Sequence, residues 1–140
     1  MSDTAPIHAN CVDHGGRGLL ICGGAGQGKS TLSLQLMAMG ATLVADDRIL
    51  LTAENGDLIA RPVPSIQGRI EARGIGVLDV RHTAQTRIVA QVDLDTQEEE
   101  RIPPLRHITR MGCRIRLLYK VDGIHFAPAL WQFLHSSGTH

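Results

Sequence analysis

Eight consecutive residues, Gly23-Gly24-Ala25-Gly26-Gln27-Gly28-Lys29-Ser30, place a lysine and a hydroxyl directly behind a run of glycines. They satisfy G-x-x-x-x-G-K-[ST], the pattern of a loop that cradles phosphate. Glycine lets the backbone turn through conformations closed to other residues, so successive N–H groups can converge on phosphate oxygens. Lys29 adds a full positive charge over the outer phosphates, and the Ser30 hydroxyl suits a Mg²⁺ shell. A helix beginning at Ser30 aims the positive end of its dipole at the same anion. A chance match in a chain of this length is on the order of 1%. The expectation is therefore nucleotide phosphate bound by Gly23, Gly24, Ala25, Gly26, Gln27, Gly28, Lys29, Ser30 and Thr31.

Such a loop works only between a strand that delivers it and a helix that receives it. Gly18 to Cys22 is a short apolar run that reads as a buried strand. Thr31 to Met39 is apolar nearly all round and stops at Gly40, a natural residue just past a helix end. The Leu-Ser-Leu-Gln-Leu alternation inside it would also suit a strand, but its place after the Lys-Ser pair favours helix. Ala41 to Ala45 then reads as a second buried strand ending at Asp46-Asp47.

Phosphoryl transfer to an alcohol needs a carboxylate near the metal and a base for the hydroxyl proton. Asp46 and Asp47 stand at the C-terminal end of a strand, the sheet edge where α/β proteins collect ligands. Adjacent residues on an extended segment point to opposite sides, so one of the two is expected to face the nucleotide. The competing reading is a turn or cap carboxylate, since Asp is common at strand ends. Glu71 and Arg73 would form an ordinary surface pair. His8 taken alone is a surface histidine.

Further along, Ile49 to Thr52 and Leu58 to Arg61 flank Asn55-Gly56, a strong hairpin signal. Ile70 to Val80 is punctuated by glycine. Ile88 to Leu94 alternates as a strand does, Asp95 to Arg101 reads as an exposed acidic loop, and Pro103-Pro104 rules out regular structure. Cys113 to Val121 is compatible with strand or helix, and Pro128 to His135 reads as a short terminal helix carrying Trp131 and Phe133. Strand, loop, helix and strand followed by mostly β sequence make an α/β domain with a partly mixed sheet.

Bulk properties narrow the function classes. The 140 residues suit a single domain, residues 1–140, with a real core. Fourteen basic residues balance fourteen acidic ones, leaving no net field to hold nucleic acid or an anionic membrane. Four aromatic residues, Tyr119, Phe126, Trp131 and Phe133, give no base-stacking platform. No apolar run approaches a membrane span, and the N-terminus lacks the features of a signal peptide. Cys11, Cys22 and Cys113 read as reduced thiols of a cytoplasmic protein. The seven histidines show no metal-ligand spacing, and His135 and His140 near the tail are expected to be solvated.

Three blocks together resemble the catalytic domain of HPr kinase/phosphorylase. The first is His8 with Gly16-Arg17-Gly18, the strand and the phosphate loop. The second is Gly40-Ala41-Thr42-Leu43-Val44-Ala45-Asp46-Asp47, close to G-x-x-L-V-A-D-D. The third is Ile70-Glu71-Ala72-Arg73-Gly74-Ile75-Gly76-Val77-Leu78-Asp79-Val80, against L-E-I-R-G-[LI]-G-I-[IL]-[DN]-V. They cover roughly the first 80 residues. The resemblance implies a P-loop serine kinase related in fold to phosphoenolpyruvate carboxykinase, using ATP and Mg²⁺ on an HPr-like phosphocarrier protein and assembling as a hexamer. It implies active-site roles for His8, Lys29 and Asp47, with Asp47 as the base and Asp46 as the fallback. Ser30 and Glu71 would hold the metal, and Arg101 would stand for the arginine of the later catalytic loop.

The departures have consequences. Ala25 replaces a hydroxyl-bearing residue of the family loop, the chain resembles the family's short variants without the N-terminal domain of the long kinase form, and the segment linked to phosphorolysis has no match, although Arg106 to Arg114 is basic. Kinase activity is therefore the main expectation. The alternatives are a nucleotide-binding regulatory module without turnover and, less favoured, a small-molecule kinase. Ile124, Phe126, Trp131 and Phe133 would form either a subunit contact or the packing face of a terminal helix.

Overall fold

The computed structural model describes residues 5–136, so His140 lies outside the described residues. In chain order the elements are β1 (Ile7–His8), β2 (Asn10–His14), β3 (Arg17–Cys22), α1 (Lys29–Met39), β4 (Thr42–Ala45), β5 (Arg48–Glu54) and β6 (Asp57–Pro62). A single 3₁₀ turn, Pro64–Ile66, leads to β7 (Arg69–Ala72), β8 (Gly76–Asp79), β9 (Thr86–Gln97), β10 (Arg106–Arg110), β11 (Cys113–Lys120) and α2 (Phe126–His135).

Nine strands form one mixed sheet along the path β1-β5-β6-β9-β3-β2-β4, with β11 joining β9 and β10 pairing with β11. β3 runs parallel to β9, and so does β11, whereas β2 and β6 pair antiparallel with their neighbours. The expected mixed α/β sheet is what forms.

Side-chain alternation along β3 sorts the core into two layers. Leu19 and Ile21 meet Leu32 and Leu36 of α1 and Leu130 and Leu134 of α2 on one face. Leu20 points to the other face, where Val44, Ile49, Leu51, Leu58 and Ile88 pack together. That second layer needs no helix because the sheet curls on itself, bringing β4 against β6. Each fully buried leucine contributes about 1.5–3 kcal/mol of transfer free energy, so the two layers anchor the loop between β3 and α1 from both sides.

Several local readings are refined. The Asn55-Gly56 hairpin forms as expected, with positive φ at both residues. The glycine-punctuated stretch folds as a separate two-stranded sheet, β7 with β8. Cys113 to Lys120 is strand, paired on both edges. The acidic stretch from Asp95 is not wholly loop: β9 continues to Gln97, held by β11 alongside. Polar residues can extend a strand when a neighbour supplies the ladder, which local composition does not reveal.

α2 begins at Phe126, two residues before the expected Pro128. Its Ala127, Leu130 and Leu134 are buried and Phe126, Trp131 and Phe133 pack on the same layer. The terminal helix therefore covers its own sheet, and of the four apolar residues considered for a subunit contact only Ile124 stands fully exposed.

Candidate functional site

The loop from Gly23 to Gly28 crosses from the end of β3 to the start of α1, and its two end glycines are needed for different reasons. A Cβ at Gly23 would lie 3.1 Å from the Leu94 Cβ, so that position demands space. Gly28 caps the helix at φ 99°, a conformation that disfavours any side chain. No side chain caps α1 and no acidic residue occupies its first turn, which leaves its N-terminal N–H groups and dipole for an anion. Lys29 Nζ donates to the carbonyls of Gly23 (2.8 Å) and Gly24 (3.3 Å), folding the ammonium over the loop. From the far side Asp95 accepts the Gly24 N–H with both carboxylate oxygens, at 3.0 and 3.1 Å.

A cleft of about 540 Å³ opens over this loop. Ala25, Gly26, Gly28, Lys29, Ser30 and Thr31 line one side, and Asp46, Asp47, Glu71 and Arg73 the other. Glu71 and Arg73 form no ion pair with each other; both border the cleft instead.

The two adjacent aspartates differ sharply. Asp46 Oδ1 accepts from the Ser30 hydroxyl (2.7 Å) and from Asn10 Nδ2 (2.8 Å), while its Oδ2 accepts the Glu71 backbone N–H (3.0 Å). Asp47 sits at φ 74°, an uncommon conformation for a non-glycine residue. Its carboxylate is 66% exposed, and Oδ1 lies 3.8 Å from Nδ1 of the 77% exposed His8. His8 thus stands on the rim beside Asp47.

Asn10, absent from the sequence-based candidates, organises this arrangement. Its side chain is fully buried. Its Oδ1 accepts the Asp47 N–H at 2.8 Å, and its amide donates to Asp46 and to Ser33 Oγ (3.0 Å). The Ser33 hydroxyl passes on to the Lys29 carbonyl at 2.9 Å. A lone asparagine opening the short strand Asn10-Cys11-Val12-Asp13-His14 carries no sequence signal of this role.

Arg101 is not brought to the cleft. It lies exposed in the bend after β9 and is not among the lining residues. The cation on the cleft wall, besides Lys29, is Arg73.

The donors fit magnesium by type. A serine hydroxyl and carboxylates are hard oxygen ligands, and Mg²⁺ is usually held by one or two carboxylates plus phosphate and water oxygens rather than by an all-protein cage. Among the described residues no cluster of three or more His, Cys, Asp or Glu side chains is poised around one point.

Cys11 and Cys113 are buried and Cys22 is half-buried, all three as free thiols. Burial pushes the Cys11 thiol well up, and it raises Cys22 against the opposing pull of Arg110. Neither Cys11 nor Cys22 is a poised nucleophile. No helix of the described residues is long and apolar enough to cross a membrane.

Comparison with known proteins adds an independent line. Residues 1–101 match the family model described as the HPr serine kinase C-terminal domain. The chain is 42% identical over 83 residues to HPr kinase/phosphorylase of Shouchella clausii, covering 56% of this chain and 27% of that one. It is 35% identical over 129 residues to HPr kinase/phosphorylase of Bordetella pertussis, covering 83% and 42% respectively. The chain thus spans between about a quarter and two fifths of the length of these relatives. A solved structure described as the HPr(Ser) kinase/phosphatase from Coxiella burnetii superposes with a TM-score of 0.76 at 29% identity, over 96% of this chain and 95% of that one.

Proposed function

We propose that this chain, which belongs to the HPr serine kinase C-terminal domain family, transfers the γ-phosphoryl group of ATP to a serine hydroxyl of an HPr-like phosphocarrier protein. The observation that carries this reading is the contrast between Asp46 and Asp47. Asp46 accepts from three donors and is engaged in positioning Ser30. Asp47 keeps an open carboxylate at the cleft edge, the placement a base needs to receive a proton from an incoming hydroxyl.

In the reaction proposed, the serine oxygen forms a bond to the γ-phosphorus as its proton passes to Asp47. The bond from that phosphorus to the bridging oxygen breaks, releasing ADP. Lys29 and the first-turn N–H groups of α1 meet the phosphate charge, and Arg73 replaces Arg101 as the second cation at the cleft. Ser30, Asp46 and Glu71 are the oxygen donors that would hold Mg²⁺, which neutralises phosphate charge when bound. His8 beside Asp47 orients that carboxylate.

A cytoplasmic setting suits three free thiols. The homo-oligomer implied by the family would use a surface other than the aromatic side of α2, which is already packed.

The test is incubation of the pure protein with γ-labelled ATP, Mg²⁺ and an HPr-like carrier, beside a carrier whose acceptor serine is alanine. Label on the serine-bearing carrier alone is expected. ATP binding without transfer would replace this reading with a nucleotide-binding module.

A further inference from the structure

The β7–β8 ribbon turns one face inward and the other out. Ile70 and Ala72 are buried and Leu78 is half-buried, so alternation sends Glu71 and Val77 to the opposite side. These two residues stand directly across the ribbon from each other. The Glu71 N–H points away from β8 to Asp46 Oδ2. Glu71 and Val77 are therefore a non-hydrogen-bonded pair, the kind whose side chains approach most closely. Glu71 lines the cleft, which puts Val77 on its lip.

At the tip, the Ile75 N–H donates to the Ala72 carbonyl at 2.9 Å and closes the turn. Gly74 and Gly76 flank Ile75 at φ 86° and 138°, backbone states that other residues rarely adopt. A Cβ at either glycine would meet nothing within 4 Å, so the turn demands conformation rather than space. It holds Ile75 outward, two residues from Arg73 on the cleft wall. Ile75 is 78% exposed and Val77 67%. Two branched aliphatic side chains left in water forgo the burial that stabilises the rest of the core, and exposed apolar side chains grouped together mark contact surfaces. Phosphate and metal binding give them no task, because N–H groups, Lys29 and oxygen donors supply those contacts.

We propose that Ile75 and Val77 form the docking platform for the protein acceptor, gripping apolar side chains that neighbour its serine; this rests on the kinase reading above. Asp47 stands open on the rim, so the acceptor hydroxyl is presented from outside the cleft. A folded protein lowering a serine to Asp47 meets the walls around the cleft, and the ribbon that carries Glu71 and Arg73 is one of them. A small alcohol gains nothing from Ile75 or Val77, so the pair also favours a protein acceptor. Glu71 and Arg73 give the apolar lip a charged border, the arrangement of an apolar contact centre with a polar rim.

The test uses the full chain with γ-labelled ATP, Mg²⁺ and the HPr-like carrier. The double variant Ile75→Ser/Val77→Thr should raise KM for the carrier about tenfold or more, with kcat at saturation and calorimetric ATP affinity close to wild type. Both side chains are exposed and threonine keeps the β-branch, so circular dichroism should report an intact fold. Ile102→Ser and Ile124→Ser, at exposed apolar residues off the ribbon, should leave KM unchanged. In wild type, a carrier whose acceptor serine is alanine should shift the Ile75 and Val77 amide signals by NMR. An unchanged KM in the double variant, or transfer by wild type without those shifts, would overturn the docking surface alone. Loss of self-association in the double variant with KM intact would overturn it too, and assign the ribbon to contact between copies. Shifts at Ile75 and Val77 without any transfer of label would keep the docking surface and overturn the kinase reading instead.

Discussion

Asn10 and Asp47, thirty-seven residues apart, are joined by a hydrogen bond of 2.8 Å from the Asp47 backbone N–H to Asn10 Oδ1. Because the same buried amide also donates to Asp46, one side chain fixes both aspartates: one through its carboxylate, the other through its backbone. The bond helps hold Asp47 at φ 74°, a backbone state that costs on the order of 1–2 kcal/mol for a non-glycine residue. The open carboxylate is thus positioned from beneath.

Replacing Asn10 by leucine should therefore damage more than packing. It strands the Asp47 N–H and removes a donor from Asp46, a loss of about 2–3 kcal/mol in unfolding free energy. Urea denaturation measures the stability change, and a drop in phosphoryl transfer beyond the unfolded fraction is expected. A variant as stable and active as wild type would show that the network has no organising role.

The two aspartates should separate kinetically. Asp47→Asn is expected to lower kcat about 10²–10⁴-fold with KM for ATP little changed, as for loss of a general base. Asp46→Asn can keep an oxygen for Ser30 and Asn10 but sets an N–H donor against the Glu71 N–H and removes the charge, so it should weaken Mg²⁺-dependent nucleotide binding and lower thermal stability together. Equal and parallel effects of both substitutions on binding would argue against distinct roles.

Asp95 offers a test at a distance from the transferred group. Its two oxygens hold the Gly24 N–H, so Asp95→Ala should loosen the loop and weaken ATP binding by about three- to tenfold, with kcat at saturation nearly preserved. Calorimetric titration of nucleotide into the variant decides it. A large fall in kcat with unchanged affinity would contradict a loop-holding role.

Acid should destabilise the fold in part through Glu98. Burial alone would raise its carboxyl, but the Glu100 backbone N–H, Arg106 and the Glu99 N–H outweigh it and hold the group below its usual value of 4.5. A depressed folded-state value gives stability that is present above pH 4.5 and lost as pH falls further through the folded value. Melting temperatures from pH 7 to 3 should decline below about 4.5, and Glu98→Gln should flatten that decline. An identical pH profile in the variant would remove Glu98 from the account.

Thiol chemistry gives a final check. Cys11 is buried and Cys22 half-buried, so native protein should react with a thiol reagent slowly at Cys22 and not at Cys11, with full labelling only in denaturant. Rapid native labelling of Cys11 would contradict the packing of β2.

Much of the site was legible in one dimension because its parts are local. The glycine loop is contiguous: Gly28 adopts positive φ, Lys29 and Ser30 follow, and β3 and α1 flank them, so Gly23 to Ser30 can be read as one segment. The Asp46-Asp47 pair and the Ile70 to Val80 block were likewise recognisable as unbroken segments, and the mixed α/β sheet followed from alternation and turn residues. Tertiary structure alone decided what depends on strands meeting out of order. It set Asn10 beneath both aspartates through β2 pairing with β4, extended β9 past an acidic stretch because β11 lies beside it, and left Arg101 outside the cleft while Arg73 lines it. Side-chain roles of that kind arise from cross-strand neighbours tens of residues away, and no local periodicity encodes which neighbour that will be.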